Sequence, residues 1–181
     1  GLFYDQGYFK QHLDIDGWQR EEYLDTKVEN LPMEPALGTD GKPITVRIDT
    51  RTGKLLAKVW LMRVGRVRLY LLDCDVPSNS PEDRELTARL YGGDNRTRVR
   101  QELVSGVGGV RALKALGIMP GVYHLNEGHS AFATLEAIRT RMKDDGLNFD
   151  TSLRDVAQHT VFTTHTPVPA GHDRFDRNLI E

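Results

Sequence analysis

ITVRIDT (44–50) alternates apolar and polar positions, after which KLLAKVWLMRV (54–64) runs back and VRLYLLD (67–73) follows. Alternation of period two marks strands with one buried face, and Arg51, Thr52 and Gly53 supply a turn between the first two. The three segments predict an antiparallel meander. Upstream, residues 24–43 carry Pro32, Pro35, Gly38, Gly41 and Pro43 with little periodicity, which predicts an irregular connection. Downstream the period changes. Ser80, Pro81, Glu82 and Asp83 form a helix start, because the hydroxyl caps a free amide, proline is preset for the first turn and acids suit the positive end. That helix is expected to end near Gly92. Val99, Leu103, Val107, Val110 and Leu113 recur every three or four residues and predict a second helix over 96–116. Gly106, Gly108 and Gly109 interrupt it. They do not form a P-loop, since the Lys and Ser/Thr are absent and no strand leads into them, so close helix packing or a kink accounts for them.

The rest of the chain reads as βα units. GVYHL (121–125) predicts a buried strand, and Ala131, Phe132, Leu135, Ile138 and Met142 predict one face of a helix that stops around Gly146. Asp150 or Thr151 is the expected cap of a shorter helix running through His159, and TVFTT (160–164) predicts a second strand. Strand, helix, short helix, strand is the order of a right-handed crossover in a parallel sheet. The expected fold is therefore α/β, with a mixed sheet in which an antiparallel meander precedes parallel βα units.

Both late strands end in polar, ionisable groups. Asn126, Glu127, Gly128 and His129 follow the first, and His165 and Thr166 follow the second. In open α/β sheets ligands bind outside the carboxyl ends of the strands, so the two ends predict one shared crevice. A zinc site fits poorly, because HLNEGH is neither HExxH nor HxxEH and a strand running into a turn sends His124 and His129 to different places. His124, His159 and His172 read as hydrogen-bonding residues at element ends. A sugar pocket suits the remaining positions, with short polar side chains gripping hydroxyls and the helix opening at Ser130 offering free amides. Glu127 is placed to accept a sugar hydroxyl or to orient a neighbouring histidine, and Pro167 and Pro169 stiffen the backbone after His165.

Composition narrows the partners. With 24 basic and 26 acidic residues in 181, no excess of positive charge draws the chain to nucleic acid, and no apolar stretch is long enough to span a membrane. The lone cysteine, Cys74, lies between Asp73 and Asp75, where carboxylates disfavour a thiolate, and it suits a reducing cytoplasm. Gly1 is not an initiator methionine, and Phe3, Tyr4, Tyr8, Phe9, Trp18 and Tyr23 crowd the start. So dense an aromatic cluster needs a surface to pack on, and the expectation is a chain cut from a longer one.

GLFYDQGYFKQ, LYLLDCDVPSNSPEDRELTARLYGGD, HLNEGHSAF and VFTTHTPVPAGHDRF, in that order, resemble the α-glucan phosphorylases, in wording closer to a bacterial or archaeal branch. The resemblance implies a glycosyltransferase parent that phosphorolyses α-1,4-glucans with phosphate to give glucose 1-phosphate. It implies further that residues 1–181 are a single partial domain, an inner part of the Rossmann-like amino-terminal domain of a GT-B fold. The position matching His165 contacts the transferred glucosyl residue through its side chain and carbonyl and is the catalytic candidate. Those matching Asn126, Glu127, His129 and Thr166 are substrate-binding candidates. Pyridoxal phosphate is the family's cofactor, carried on a lysine for which nothing here matches, so the isolated chain is expected to be inactive. A cytoplasmic location and a homo-oligomeric parent are further expectations. A GT-B glucan synthase and a non-catalytic carbohydrate-binding module are the alternatives.

Overall fold

The computed structural model of the chain describes every residue except 8, 25, 27, 52, 90–92, 169–171 and 181. Tyr8, Thr52, Pro169 and the expected helix end at Gly92 lie outside the described residues. The first element is a hairpin of β1 (Lys10–Leu13) and β2 (Gln19–Glu22), whose turn is tied by the Asp14 carboxylate accepting from the amides of Asp16 and Trp18. No alternation announces it, because its residues are exposed on both faces. Within residues 24–43 the chain forms a short strand, β3 (Met33–Pro35), on an otherwise irregular path.

The predicted meander is present as β4 (Thr45–Thr50), β5 (Gly53–Val64) and β6 (Val67–Asp73), all antiparallel. β5 is long enough to take β3 and β4 end to end along one edge, Pro35 opposite Trp60 and Thr45 opposite Lys58, while β6 pairs along the other. Alternate residues Val46 and Ile48 of β4, and Leu55, Ala57 and Val59 of β5, are buried and form the main core with Leu72, Leu86 and Val104. The amino terminus finds part of the surface its aromatics need. Leu2 bridges Leu72 in parallel, the Phe3 amide donates to the Leu72 carbonyl at 2.8 Å, and the Phe3 side chain is buried. Trp18 stays exposed, and Phe9 and Tyr23 pack on each other with ring centroids 5.8 Å apart.

Ser80 caps α1 (Pro81–Arg84) as expected, its hydroxyl accepting from the Asp83 amide, but the helix gives way to a 3-10 turn at Glu85–Thr87. The second predicted helix forms as one rod: α2 (Asn95–Leu103), a π-helical turn at Val104–Gly108, and α3 (Gly109–Ala115). Gly106 and Gly108 have the packing role expected of the glycines, while Gly109 faces open space. A Cβ on Gly106 would sit 2.6 Å from the Ala133 nitrogen, and one on Gly108 would sit 2.9 Å from a Leu72 methyl. The rod is therefore pressed between the sheet and the next helix.

That helix is α4 (Phe132–Asp144), and its buried face is Ala133, Glu136, Ala137 and Ile138. The expected stripe is corrected here, since Leu135 and Met142 are exposed and only Ile138 of the named apolar set is fully buried. The small residues Ala133 and Ala137 let α4 approach the rod closely, which a Leu135 face would prevent. The cap of α5 (Phe149–Gln158) is Asn148, whose side chain accepts from the Thr151 amide; Asp150 and Thr151 lie inside the helix. β7 (Tyr123–Asn126) and β8 (Thr160–Thr163) pair in parallel, as the βα order predicts. The single mixed sheet is a second correction: among the described residues the four-stranded antiparallel sheet and the parallel pair are separate. The rod lies between them, giving Val104 and Ala112 to the first core and Val110, with Leu125 and Ala133, to the second. Among the described residues no helix is long and apolar enough to cross a membrane.

Candidate active site

The carboxyl ends of β7 and β8 meet, and the ladder continues one residue past β7, where the Glu127 amide donates to the Thr163 carbonyl at 2.9 Å. The chain then turns abruptly. Glu127 has φ 60° and ψ −174°, a region that only glycine adopts freely, and it is the sole non-glycine residue with positive φ among the described residues. Its carboxylate is buried and engaged on all sides. Oε1 accepts from the His165 amide, from the Thr166 amide at 3.0 Å and from the Thr166 hydroxyl at 3.3 Å, and Oε2 accepts from the Thr164 hydroxyl at 3.1 Å. The His165 amide bond comes first, with the Thr164 and Thr166 donors adding to it, and together they outweigh partial burial and hold the carboxyl below the usual carboxylate range.

Asn126 engages the other half of the same residue. Its Oδ1 lies 2.8 Å from His165 Nε2, so the ring is tied to β7 while the His165 backbone is tied to Glu127. His165 remains exposed to the crevice side. Asn126, Glu127, His165 and Thr166 are thus brought together as expected. His124 bonds the Thr163 hydroxyl at 2.6 Å, and His159 bonds the Asp155 carbonyl at 2.7 Å, consistent with hydrogen-bonding roles at element ends. His172 is exposed.

His129 belongs to a neighbouring cluster. It lies in a 3-10 turn, Gly128–Ser130, that precedes α4, and its ligand atom sits within 4.8 Å of those of Glu102 and Asp173. Arg98 donates to the Asp173 carboxylate at 2.8 Å. Burial first, then the Asp173 charge, pushes the Glu102 carboxyl up to about 7. Burial would raise Asp173 too, but the Arg98 guanidinium and the Glu102 hydrogen bond outweigh it and hold that carboxyl low. Arg98, Glu102 and Asp173 carry no signal in the sequence pattern, because α2 supplies the first two and a segment 75 residues beyond Arg98 supplies the third.

The residues of the crevice are Asn, Glu, His and Thr, and the lysines with ion-pair partners lie elsewhere, Lys58 with Asp73 and Lys114 with Asp144. Cys74 is fully buried; burial, then Asp73 and Asp83, pushes its thiol up to about 12, which removes it as a nucleophile. A cavity of about 520 Å³ opens at the opposite, amino end of β7, walled by Ile118, Met119, Tyr123 and Val156 and rimmed by Arg141 and Asp155. This cavity and the clustered polar groups therefore mark different ends of the parallel pair.

No family profile matches the chain. It is similar over its whole length to glycogen phosphorylase of Mycobacterium tuberculosis (strain ATCC 25618 / H37Rv), 46% identical over 187 residues, and covers 22% of that protein. Over 97% of its length it is 47% identical to maltodextrin phosphorylase of Thermococcus litoralis, covering 21% of it, and over its whole length it is 37% identical to glycogen phosphorylase of Aquifex aeolicus, covering 26%. These relatives are phosphorylases, and the similarity runs along essentially the whole of this α/β chain. More narrowly, the chain is homologous from end to end to the glycogen and maltodextrin phosphorylases and spans about a fifth to a quarter of their length.

Proposed function

We propose that the chain contributes one wall of the glucosyl site in an α-glucan phosphorylase, a cytoplasmic and homo-oligomeric GT-B glycosyltransferase that cleaves α-1,4-glucans with phosphate to release glucose 1-phosphate. The observation that carries this reading is the junction at the ends of β7 and β8, where Asn126 holds the His165 ring and Glu127 holds the His165 main chain, in a sequence 46% identical to a glycogen phosphorylase. His165 is the catalytic candidate. Phosphorolysis passes through an oxocarbenium-like transition state, and a fixed carbonyl dipole beside the anomeric carbon stabilises developing positive charge without reorganising. Asn126, Glu127, His129 and Thr166 are the substrate-site residues of this reading, Asn126 and Thr166 beside His165, Glu127 beneath them and His129 in the adjoining cluster. Pyridoxal phosphate supplies acid and base chemistry at the phosphate in such enzymes. The crevice residues here do not fit that group, because none of them is a lysine; we place its site in a part of the parent outside this chain, which would leave the isolated 181 residues inactive.

The test is phosphorolysis of maltoheptaose by the full-length parent, following glucose 1-phosphate with and without added pyridoxal phosphate. Cofactor-dependent product is expected, and His165→Ala is expected to lower kcat by about 100-fold or more with little change in glucan binding. Glucan binding without any product would move the assignment to a binding module, and unchanged turnover in His165→Ala would remove His165 from the site.

A further inference from the structure

We propose that Glu127 is a positioning residue, acting on the glucosyl site through the backbone of His165 and Thr166 and not as a ligand of the sugar; this rests on the reading of the site given above. Three observations converge on it. The carboxylate makes four hydrogen bonds, all to residues 164–166, and is 9% exposed, so its acceptor capacity is largely spent before any sugar arrives. Its own amide bonds the Thr163 carbonyl, so one residue grips four successive residues of the opposite strand end. Finally, Glu127 holds a backbone conformation that glycine would adopt without strain, and Gly128 follows it directly. A turn alone would be served by glycine at 127. A strained glutamate there is accounted for by what its side chain does.

The direction of the His165 carbonyl follows from this grip. The peptide joining His165 to Thr166 is planar and trans, so its N–H and C=O point opposite ways. Because the Thr166 N–H is aimed at the Glu127 carboxylate, the His165 carbonyl is aimed away from it. Asn126 meanwhile fixes the ring. The two adjacent residues thus divide the work, Asn126 setting the side chain and Glu127 setting the carbonyl that faces the reacting carbon in the proposed mechanism.

The experiment compares the full-length parent with Glu127→Gln and Glu127→Gly, assayed in the synthetic direction with glucose 1-phosphate and with its separate deoxy analogues at each ring hydroxyl. Both variants are expected to lose about 100-fold in kcat with KM little changed, the scale of loss for a misplacement of about 1 Å. The loss is expected to be the same factor for every deoxy analogue. A loss that disappears with one analogue would show that Glu127 contacts the hydroxyl missing from it, and a change confined to KM would likewise overturn the proposal. Hydrogen exchange of the His165 and Thr166 amides is measured alongside. Faster exchange there in both variants, with the amides of α4 unchanged, is expected; unchanged exchange would refute the grip even if the parent proved to have no phosphorylase activity, and an inactive parent with accelerated exchange would refute only the function.

Discussion

Gly106 and Gly109 sit three residues apart in the same helical rod, yet alanine should have opposite effects at the two. A Cβ at Gly106 would lie 2.6 Å from the backbone nitrogen of Ala133 and 2.9 Å from the carbonyl carbon and Cβ of Phe132. Non-bonded atoms of this kind rest about 3.5 Å apart or more, so the rod and the first turn of α4 must separate by about 1 Å. Overpacking of this sort costs about 1–3 kcal/mol, and the upper part of that range applies because the obstructing atoms are backbone. Alanine returns up to about 1 kcal/mol of helix propensity, which leaves Gly106→Ala destabilised by about 2 kcal/mol. At Gly109 a Cβ meets nothing within 4 Å, so Gly109→Ala keeps the propensity gain of about 0.5–1 kcal/mol. The variants should differ by about 2–4 kcal/mol. Urea unfolding followed by far-ultraviolet circular dichroism would read this as midpoints separated by about 1 M, given slopes of about 1–3 kcal/mol per molar. Equal midpoints, or Gly106→Ala the more stable, would refute the claim that close approach to α4 requires glycine at 106.

Glu102 makes stability depend on pH in an uncommon direction for a carboxylate. Its carboxyl is raised from 4.5 to about 7, so the folded chain holds a proton that the unfolded chain has released, and stability falls as pH rises through that window, by at most about 3 kcal/mol. Glu102→Gln should flatten the profile between about pH 5 and about pH 8 in thermal melts; an unchanged slope would exclude Glu102 as its source. Glu136 behaves in the ordinary sense. Burial would raise its carboxyl, but Arg139 and Arg111 outweigh that and hold it low, so its contribution is present above about 4.5 and is lost as pH falls through the depressed value. Glu136→Gln leaves both guanidinium groups short of a partner and should cost about 2–4 kcal/mol at neutral pH, measured by the same unfolding assay; a cost below about 0.5 kcal/mol would mean solvent replaces the carboxylate.

What could be read from the sequence divides along physical lines. β4 and β5 were legible because alternate residues of each are buried, whereas β6, buried only at its carboxyl end, was legible as an apolar segment following them. The β1–β2 hairpin was not, since an exposed ribbon imposes no apolar pattern. α4 misled for a related reason: Val161 and Phe162 of β8 and Leu135 and Met142 of α4 are all substantially exposed among the described residues, so apolar character did not report burial there. At the crevice, Asn126, Glu127, His165 and Thr166 could be grouped because strand order alone brings two carboxyl ends together. The strain at Glu127 and the bonds to residues 164–166 could not, because they depend on a backbone angle that no residue type announces. Arg98, Glu102 and Asp173 were likewise hidden, because Asp173 meets the α2 pair only after distant segments fold together.

The π-helical turn at Val104–Gly108 also sets the tolerance of this region to changes in length. One added residue rotates everything before it by about 100° relative to everything after it. Arg98 and Glu102 face the His129 and Asp173 cluster while Val110 and Ala112 face their cores only because that rotation has been applied. Deleting a single residue between 104 and 108 would restore a regular helix and turn the two charged side chains away from His129 and Asp173. Shortening this glycine-rich stretch should thus be far more disruptive than substituting within it, so length more than residue identity should set its limits among variants that keep the site.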